Sequence, residues 1–166
     1  MANTYFQFKE FIVHQDLCGM KVTTDACLFG AFVAKFLSNQ PINTILDIGT
    51  GTGLLSLMLA QQTTATIDAV EIDAAAAEQA IQNFAYSKWK NRLKVYHTSI
   101  QSFQTTHLYD CIISNPPFFE HDLKSSNQQK NMALHSTELN FDELVAVVKK
   151  MLNPNGYFVV LLPFAR

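Results

Sequence analysis

Two short segments of this chain carry residue types that could do chemistry. The first is Asp47-Ile48-Gly49-Thr50-Gly51-Thr52-Gly53, a carboxylate followed by three glycines at alternate positions. Glycines permit a tight turn and let backbone approach a ligand without interference from Cβ. The spacing is GxGxG, whereas a dinucleotide pyrophosphate turn wants GxGxxG, which here would put Leu54 at the third small residue. A carboxylate at Asp47 also repels a pyrophosphate and suits a cationic ammonium group. Glu71 closes the next β-prone run, where an acid can hydrogen-bond both hydroxyls of a ribose. An adenosine bearing a cationic amino-acid tail meets both requirements, and S-adenosylmethionine is such a ligand. The competing reading is a plain strand-to-helix turn with Asp47 as a cap.

The second segment is Ile112-Ile113-Ser114-Asn115-Pro116-Pro117-Phe118-Phe119. Two prolines stiffen the turn and remove two backbone donors, leaving the neighbouring carbonyls free to accept. Asn115 adds a side-chain carbonyl. A planar amine held by such acceptors becomes tetrahedral as it attacks a methyl group, so the acceptors favour the transition state over the flat ground state. Phe118 offers a π-face on which a base or an amide could stack, and Phe119 is either a second stacking wall or core. The competing reading is a rigid turn with buried rings.

The elements that must position these segments alternate along the chain. Apolar residues at helical spacing run from Asp25 to Leu37, Leu54 to Gln62, Ala74 to Ser87 and Phe141 to Leu152. Short strand-like runs cover Thr44–Ile48, Thr66–Glu71, Lys94–His97, Tyr109–Ile113 and Tyr157–Leu162. This pitch predicts an α/β, Rossmann-like, doubly wound parallel sheet with helices on both faces. Ligands of such sheets bind beyond the carboxyl ends of the strands where the strand order reverses, which would set the glycine loop beside Asn115. Residues 1–40 read as an N-terminal lid segment and helix packed on a core of residues 41–166. Phe6, Phe8 and Phe11 read as packing for that segment.

Composition excludes several classes. With 48% hydrophobic and 16% charged residues in 166, intrinsic disorder is excluded. Twelve Lys+Arg against fourteen Asp+Glu leaves a net charge of −2, so any nucleic-acid contact needs a local patch. Lys88, Lys90, Arg92 and Lys94 around Trp89 are one candidate, with a solvated helix end as the plain alternative. Lys124, Lys130 and His121, in the polar stretch after Phe119, read as a recognition loop at the substrate mouth or as plain surface. No apolar stretch approaches membrane-spanning length, and no signal peptide is visible, so no membrane partner is expected. Cys18, Cys27 and Cys111 have no metal-ligand spacing and the five histidines are scattered. Reduced thiols in a cytoplasmic protein, with no metal, are expected.

These residues resemble the class I S-adenosylmethionine-dependent methyltransferases, in the amino-methylating group marked by (D/N)PP(Y/F). Phe8-Lys9-Glu10-Phe11, Met20-Lys21-Val22-Thr23-Thr24-Asp25 and Leu28-Phe29-Gly30-Ala31 are similar to the bacterial tRNA1(Val) (adenine-37-N6)-methyltransferase family. The resemblance implies that Asp47, Gly49, Gly51 and Gly53 cradle the methionine and ribose part of the donor and that Glu71 holds the ribose. It implies that Asn115, Pro116 and Phe118 present the adenine amine of a tRNA, with Asn115 also bordering the donor. Lys21, Thr24 and Asp25, with Phe118 and Phe119, would belong to the substrate side. S-adenosylhomocysteine would be the product. Ser99 stands where the family often has an acid near the donor adenine, so that hydrogen bond would be neutral and weaker. Leu134 stands where a basic residue often precedes the position of His135. Two further strands of the class are expected to be lacking after Leu162, which would leave an apolar edge bare. The turn alone does not separate tRNA adenine from a protein glutamine amide or an rRNA guanine amine. A non-catalytic donor-binding scaffold is the reading from another class.

Overall fold

The structure is a computed structural model that describes residues 3–116 and 141–162. Pro117, Phe118 and Phe119, with His121, Lys124, Lys130, Leu134 and His135, lie outside the described residues. An antiparallel hairpin opens the chain, β1 (Tyr5–Gln7) against β2 (Ile12–His14). Then follow α1 (Thr24–Leu37), β3 (Thr44–Ile48), α2 (Leu54–Gln62), β4 (Thr66–Glu71), α3 (Ala74–Tyr86) and a 3-10 turn at Lys90–Arg92. Beyond it come β5 (Leu93–His97), β6 (Tyr109–Ser114), α4 (Phe141–Met151) and β7 (Leu152–Val160).

Strands β3 to β7 form one parallel sheet in the order β5-β4-β3-β6-β7. The chain winds outward from β3 to β5, crosses back to β6 and continues to β7, so the strand order reverses between β3 and β6. Alternation along each strand feeds two cores. Ile45, Ile67, Ala69, Cys111 and Ile113 face α1, α2 and Phe84 of α3. Leu46, Ile48, Val70 and Ile112 face Leu144 and Val148 of α4 with Ile100, Phe103 and Tyr109. Burial on both faces explains why these strands read as apolar runs.

Two stretches differ from the sequence expectation. The last strand begins at Leu152 rather than Tyr157, because Leu152 already pairs with Tyr109 before the register shifts and resumes at Cys111 with Tyr157. Pro154 and Gly156, residue types that commonly stop a helix, sit in that irregularity. A Cβ on Gly156 would lie 2.9 Å from the Asp110 carbonyl oxygen, so the close approach requires glycine. The hairpin was not foreseen as strands, although its phenylalanines pack as expected in part. Phe8 stacks on buried Phe11 at 4.6 Å, Phe11 meets Trp89 edge-on at 5.8 Å, and Phe6, partly exposed, lies against the Phe8 ring at 4.9 Å.

No described helix is long and apolar enough to cross a membrane. Burial pushes the Cys111 thiol up to about 12 and raises Cys18 and Cys27 as well, so none is a ready thiolate.

Candidate active site

Asp47 lies one residue before the end of β3 and faces the α1–α2 core by strand alternation. It is fully buried. Its Oδ2 accepts from the hydroxyls of Thr50 and Ser56, each at 2.7 Å. Its Oδ1 has no partner among the described residues. Burial, helped by the Glu71 charge, pushes its pKa up to about 6 against the hydroxyl bonds from Thr50 and Ser56 and the Ser56 backbone N–H, which lower it. A buried carboxylate with one bare oxygen is under-satisfied, and such a group has a use for a cation.

The glycine loop turns over this carboxylate. Gly49, Gly51 and Gly53 have φ of 72°, 56° and 81°, a region L-residues rarely adopt. A Cβ on Gly49 or Gly51 would meet nothing within 4 Å, so the space over these two is open. Gly53 has a different reason: a Cβ there would come within 2.5 Å of Phe84, so α3 packs directly on the loop. Gly53 is also the N-cap of α2 and supplies no side-chain cap, so the Leu54 and Leu55 N–H groups have none from it, while the Ser56 N–H serves Asp47.

Glu71 ends β4 and is nearly buried. Its Oε2 accepts from Gly51 N at 2.8 Å, and its Oε1 from Ile72 N and Asp73 N, each at 2.9 Å. Three of about four lone-pair directions on the carboxylate are thereby used, which orients it and leaves room for about one hydroxyl donor. Thr98 N bonds the Glu71 carbonyl at 2.9 Å and brings Ser99 alongside. The Ser99 hydroxyl exchanges local hydrogen bonds with Ser102.

Asn115 follows β6. Ser114, directly before it, is paired in register with Ile48 and donates its hydroxyl to the Ile48 carbonyl at 2.9 Å. This fixes the start of the Asn115-Pro116 turn beside the start of the glycine loop, at the reversal of strand order. Asp47, Gly49, Gly51, Glu71, Ser99 and Asn115 are therefore gathered at one end of the sheet.

The N-terminal candidates make no hydrogen bond to that group among the described residues, although Asp25 shares a groove with Leu161, whose N–H bonds the carbonyl of Ser114. The Lys21 ammonium donates to the Gln15 carbonyl, Thr24 opens α1, and Asp25 lines a groove of about 330 Å³ with Leu28, Phe29, Phe32 and Leu161. The cationic cluster near Trp89 divides. Arg92 is spent on the Ala60 and Ala65 carbonyls, Lys94 lies 4.5 Å from the Tyr96 ring centre, and Lys88 pairs with Glu10 at 2.6 Å.

Sequence reasoning missed Thr50, Ser56 and Asn83. Asn83, 1% exposed, accepts from His14 N and donates to the carbonyls of His14 and Thr52, all at 2.9 Å. One side chain thus ties the N-terminal segment to the glycine loop. Ser56, the lone polar residue between Leu54 and Ala60, was the available signal.

A family profile described as methyltransferase small domain matches residues 29–162. This chain belongs to that family. The methyl donor of a methyltransferase small domain is S-adenosylmethionine, and the residues present fit that donor. The bare Asp47 oxygen suits an ammonium, the open space over Gly49 and Gly51 suits a close-lying ligand, and the uncapped start of α2 suits a carboxylate.

Among curated relatives of this methyltransferase, the tRNA1(Val) (adenine(37)-N6)-methyltransferase of Cytophaga hutchinsonii is 52% identical over 164 residues, covering 98% of this chain and 68% of that protein. The protein of the same name from Dyadobacter fermentans is 49% identical over 162 residues, covering 97% and 66%. The chain spans about two thirds of the length of these relatives. A solved S-adenosylmethionine-dependent methyltransferase from Thiobacillus denitrificans, in complex with S-adenosyl-L-homocysteine, shares the fold. Its TM-score is 0.61 at 14% identity, over 86% of this chain and 52% of that one.

Proposed function

We propose that this methyltransferase modifies the exocyclic N6 amine of adenine in tRNA, at adenine-37 of tRNA1(Val), and that it acts in the cytoplasm. The acceptor is the one named for relatives that are 43% to 52% identical to this chain. When bound, S-adenosylmethionine supplies an electrophilic methyl group on a sulfonium. The chain's own residues bind and orient. Asp47 would hold the ammonium with its bare oxygen, and Glu71, already aimed by three backbone N–H groups, would accept from the ribose. Ser99, next along the same edge, would face the donor's base. Gly53 shapes the loop by packing on Phe84.

On the acceptor side, the Asn115 side-chain carbonyl and the carbonyl before Pro116 would accept from the adenine amine. That pulls the nitrogen toward the tetrahedral form needed for attack, and the proton can leave after transfer. Phe118 and Phe119 would stack on the base, and Lys21, Thr24 and Asp25, in the lid formed by residues 1–40, would help enclose it. An anticodon-loop base reaches such a pocket at little unstacking cost. The observation that supports this reading is the Ser114–Ile48 bond, which holds the Asn115 turn beside the glycine loop.

The test is tritium transfer from labelled S-adenosylmethionine into unmodified bacterial tRNA, followed by nucleoside digestion. Label eluting as N6-methyladenosine is expected. Label in protein alone, or none in RNA from a chain that binds donor, overturns the acceptor. Asn115→Ala should lower turnover by about a hundredfold or more and leave S-adenosylhomocysteine affinity nearly intact. Loss of both would remove Asn115 from its catalytic role.

A further inference from the structure

Outside the candidate site, the outer face of the β1–β2 hairpin carries aromatic rings where a small domain normally hides them. Tyr5 and His14 are register partners on that face, with ring centres 6.4 Å apart. The His14 ring meets Tyr86, at the end of α3, edge-on at 6.1 Å. Tyr86 is 79% exposed and Tyr5 46%, whereas Val13, on the opposite face of the same strand, is fully buried. The hairpin therefore buries Val13 in the core and turns its polar-edged rings, with Ile12, to solvent.

This row is anchored. Asn83 bonds both the N–H and the carbonyl of His14 and, with its remaining amide hydrogen, the carbonyl of Thr52 in the glycine loop. The His14 backbone is thus tied to the glycine loop through one buried side chain. Two exposed lysines follow Tyr86 closely in the chain, Lys88, which pairs with Glu10 at 2.6 Å, and Lys90.

We propose that Tyr5, His14 and Tyr86 form a stacking platform for unpaired nucleotides of the RNA acceptor. The proposal rests on the RNA reading above. Unpaired bases stack on aromatic side chains without regard to sequence, and nearby lysines meet the phosphates between them. Exposed ring faces with polar edges, followed in the chain by Lys88 and Lys90, match that chemistry better than an apolar protein surface. Ile12, 39% exposed, is the one aliphatic side chain on this face of the two strands.

The test uses the full chain and an unmodified anticodon stem–loop RNA in equilibrium binding at low salt. Tyr86→Ala should weaken RNA binding roughly fivefold or more, and the double variant with Tyr5→Ala should weaken it further. Tyr86→Phe, which keeps the ring, should bind within about twofold of the parent. S-adenosylhomocysteine affinity and thermal stability should not move, because Tyr86 is a surface residue. Unchanged RNA binding by the double variant overturns the platform, even if the parent methylates tRNA. If the parent binds the stem–loop through Tyr86 but transfers no methyl group to tRNA, the acceptor reading falls and the platform stands. No RNA binding by the parent, or self-association that Tyr86→Ala abolishes in sedimentation, overturns the platform.

Discussion

Asp47 and Asp110 stand on neighbouring parallel strands at opposite ends of the sheet, and the two ends treat their carboxylates differently. At the amino end, Asp110 Oδ2 accepts from Asn43 N at 2.8 Å and Thr44 N at 3.1 Å, and its Oδ1 accepts from Asn153 Nδ2 at 2.7 Å. Partial burial raises its pKa, but the donors outweigh burial and the net shift is downward. At the carboxyl end, Asp47 has two hydroxyl donors on one oxygen, none among the described residues on the other, and is fully buried. There burial wins and the net shift is upward. Asp110 is saturated and serves the fold, stitching the start of β3 to β6 and to the irregular start of β7. Asp47 is left incomplete at the place where the strand order reverses.

The largest effect expected from this contrast is on stability. Asp110→Ala would strand the Asn43 and Thr44 N–H groups and release Asn153, at a cost of about 2–3 kcal/mol in denaturant unfolding. Affinity for S-adenosylhomocysteine, measured on the folded variant, should be unchanged. Reduced affinity with intact stability would erase the distinction between the two ends.

Asp47→Asn should do the reverse. The isosteric amide removes the buried charge, so S-adenosylhomocysteine affinity should fall roughly tenfold, about 1.4 kcal/mol, by calorimetry. Stability at pH 7 should hold or rise, because keeping this carboxyl ionised with its pKa near 6 rather than 3.8 costs about 3 kcal/mol. A destabilised variant with unimpaired affinity would make Asp47 a loop brace of the same kind as Asp110.

The carboxyl end was the more legible of the two in the sequence. Apolar strands buried on both faces read as continuous runs, and Gly49, Gly51 and Gly53 punctuate the first of them. The alternation of elements then forces the reversal between β3 and β6, which places Asn115. The amino end was opaque because Asp110 acts through backbone groups of Asn43 and Thr44 that have no signature in residue type. Likewise β7 hid its start, since Pro154 and Gly156 read as a terminator while Leu152 had already paired with Tyr109. The three-residue strands of the hairpin are too short for alternation to declare itself. Within the site, Asp47 and Glu71 were legible by type and spacing. Asn83 was not, because its three bonds depend on how α3 meets two loops distant in sequence. Lys21, Thr24 and Asp25 came from resemblance alone, and the described geometry gives them no contact with the donor loop.

The smallest expected effect, and the sharpest contrast, is in pH. The folded chain raises the Asp47 pKa from 3.8 to about 6, so between those values the folded state holds a proton that the unfolded state has released. Stability from this group therefore falls as pH rises through that window. For Asp110, whose pKa is lowered, the contribution is present above the ordinary carboxylate range and is lost as pH falls through it. Donor binding reads Asp47 alone. An ammonium beside its bare oxygen requires the ionised form, so S-adenosylhomocysteine affinity should be flat above pH 7. It should be about fourfold weaker at pH 5.5, with proton release visible as a buffer-dependent binding enthalpy. Asp47→Asn should remove this dependence, and Asp110→Asn should leave it in place. A parent profile that stays flat from pH 5 to 8 would mean that the donor's ammonium meets some other group, and the bare oxygen would then need a different partner.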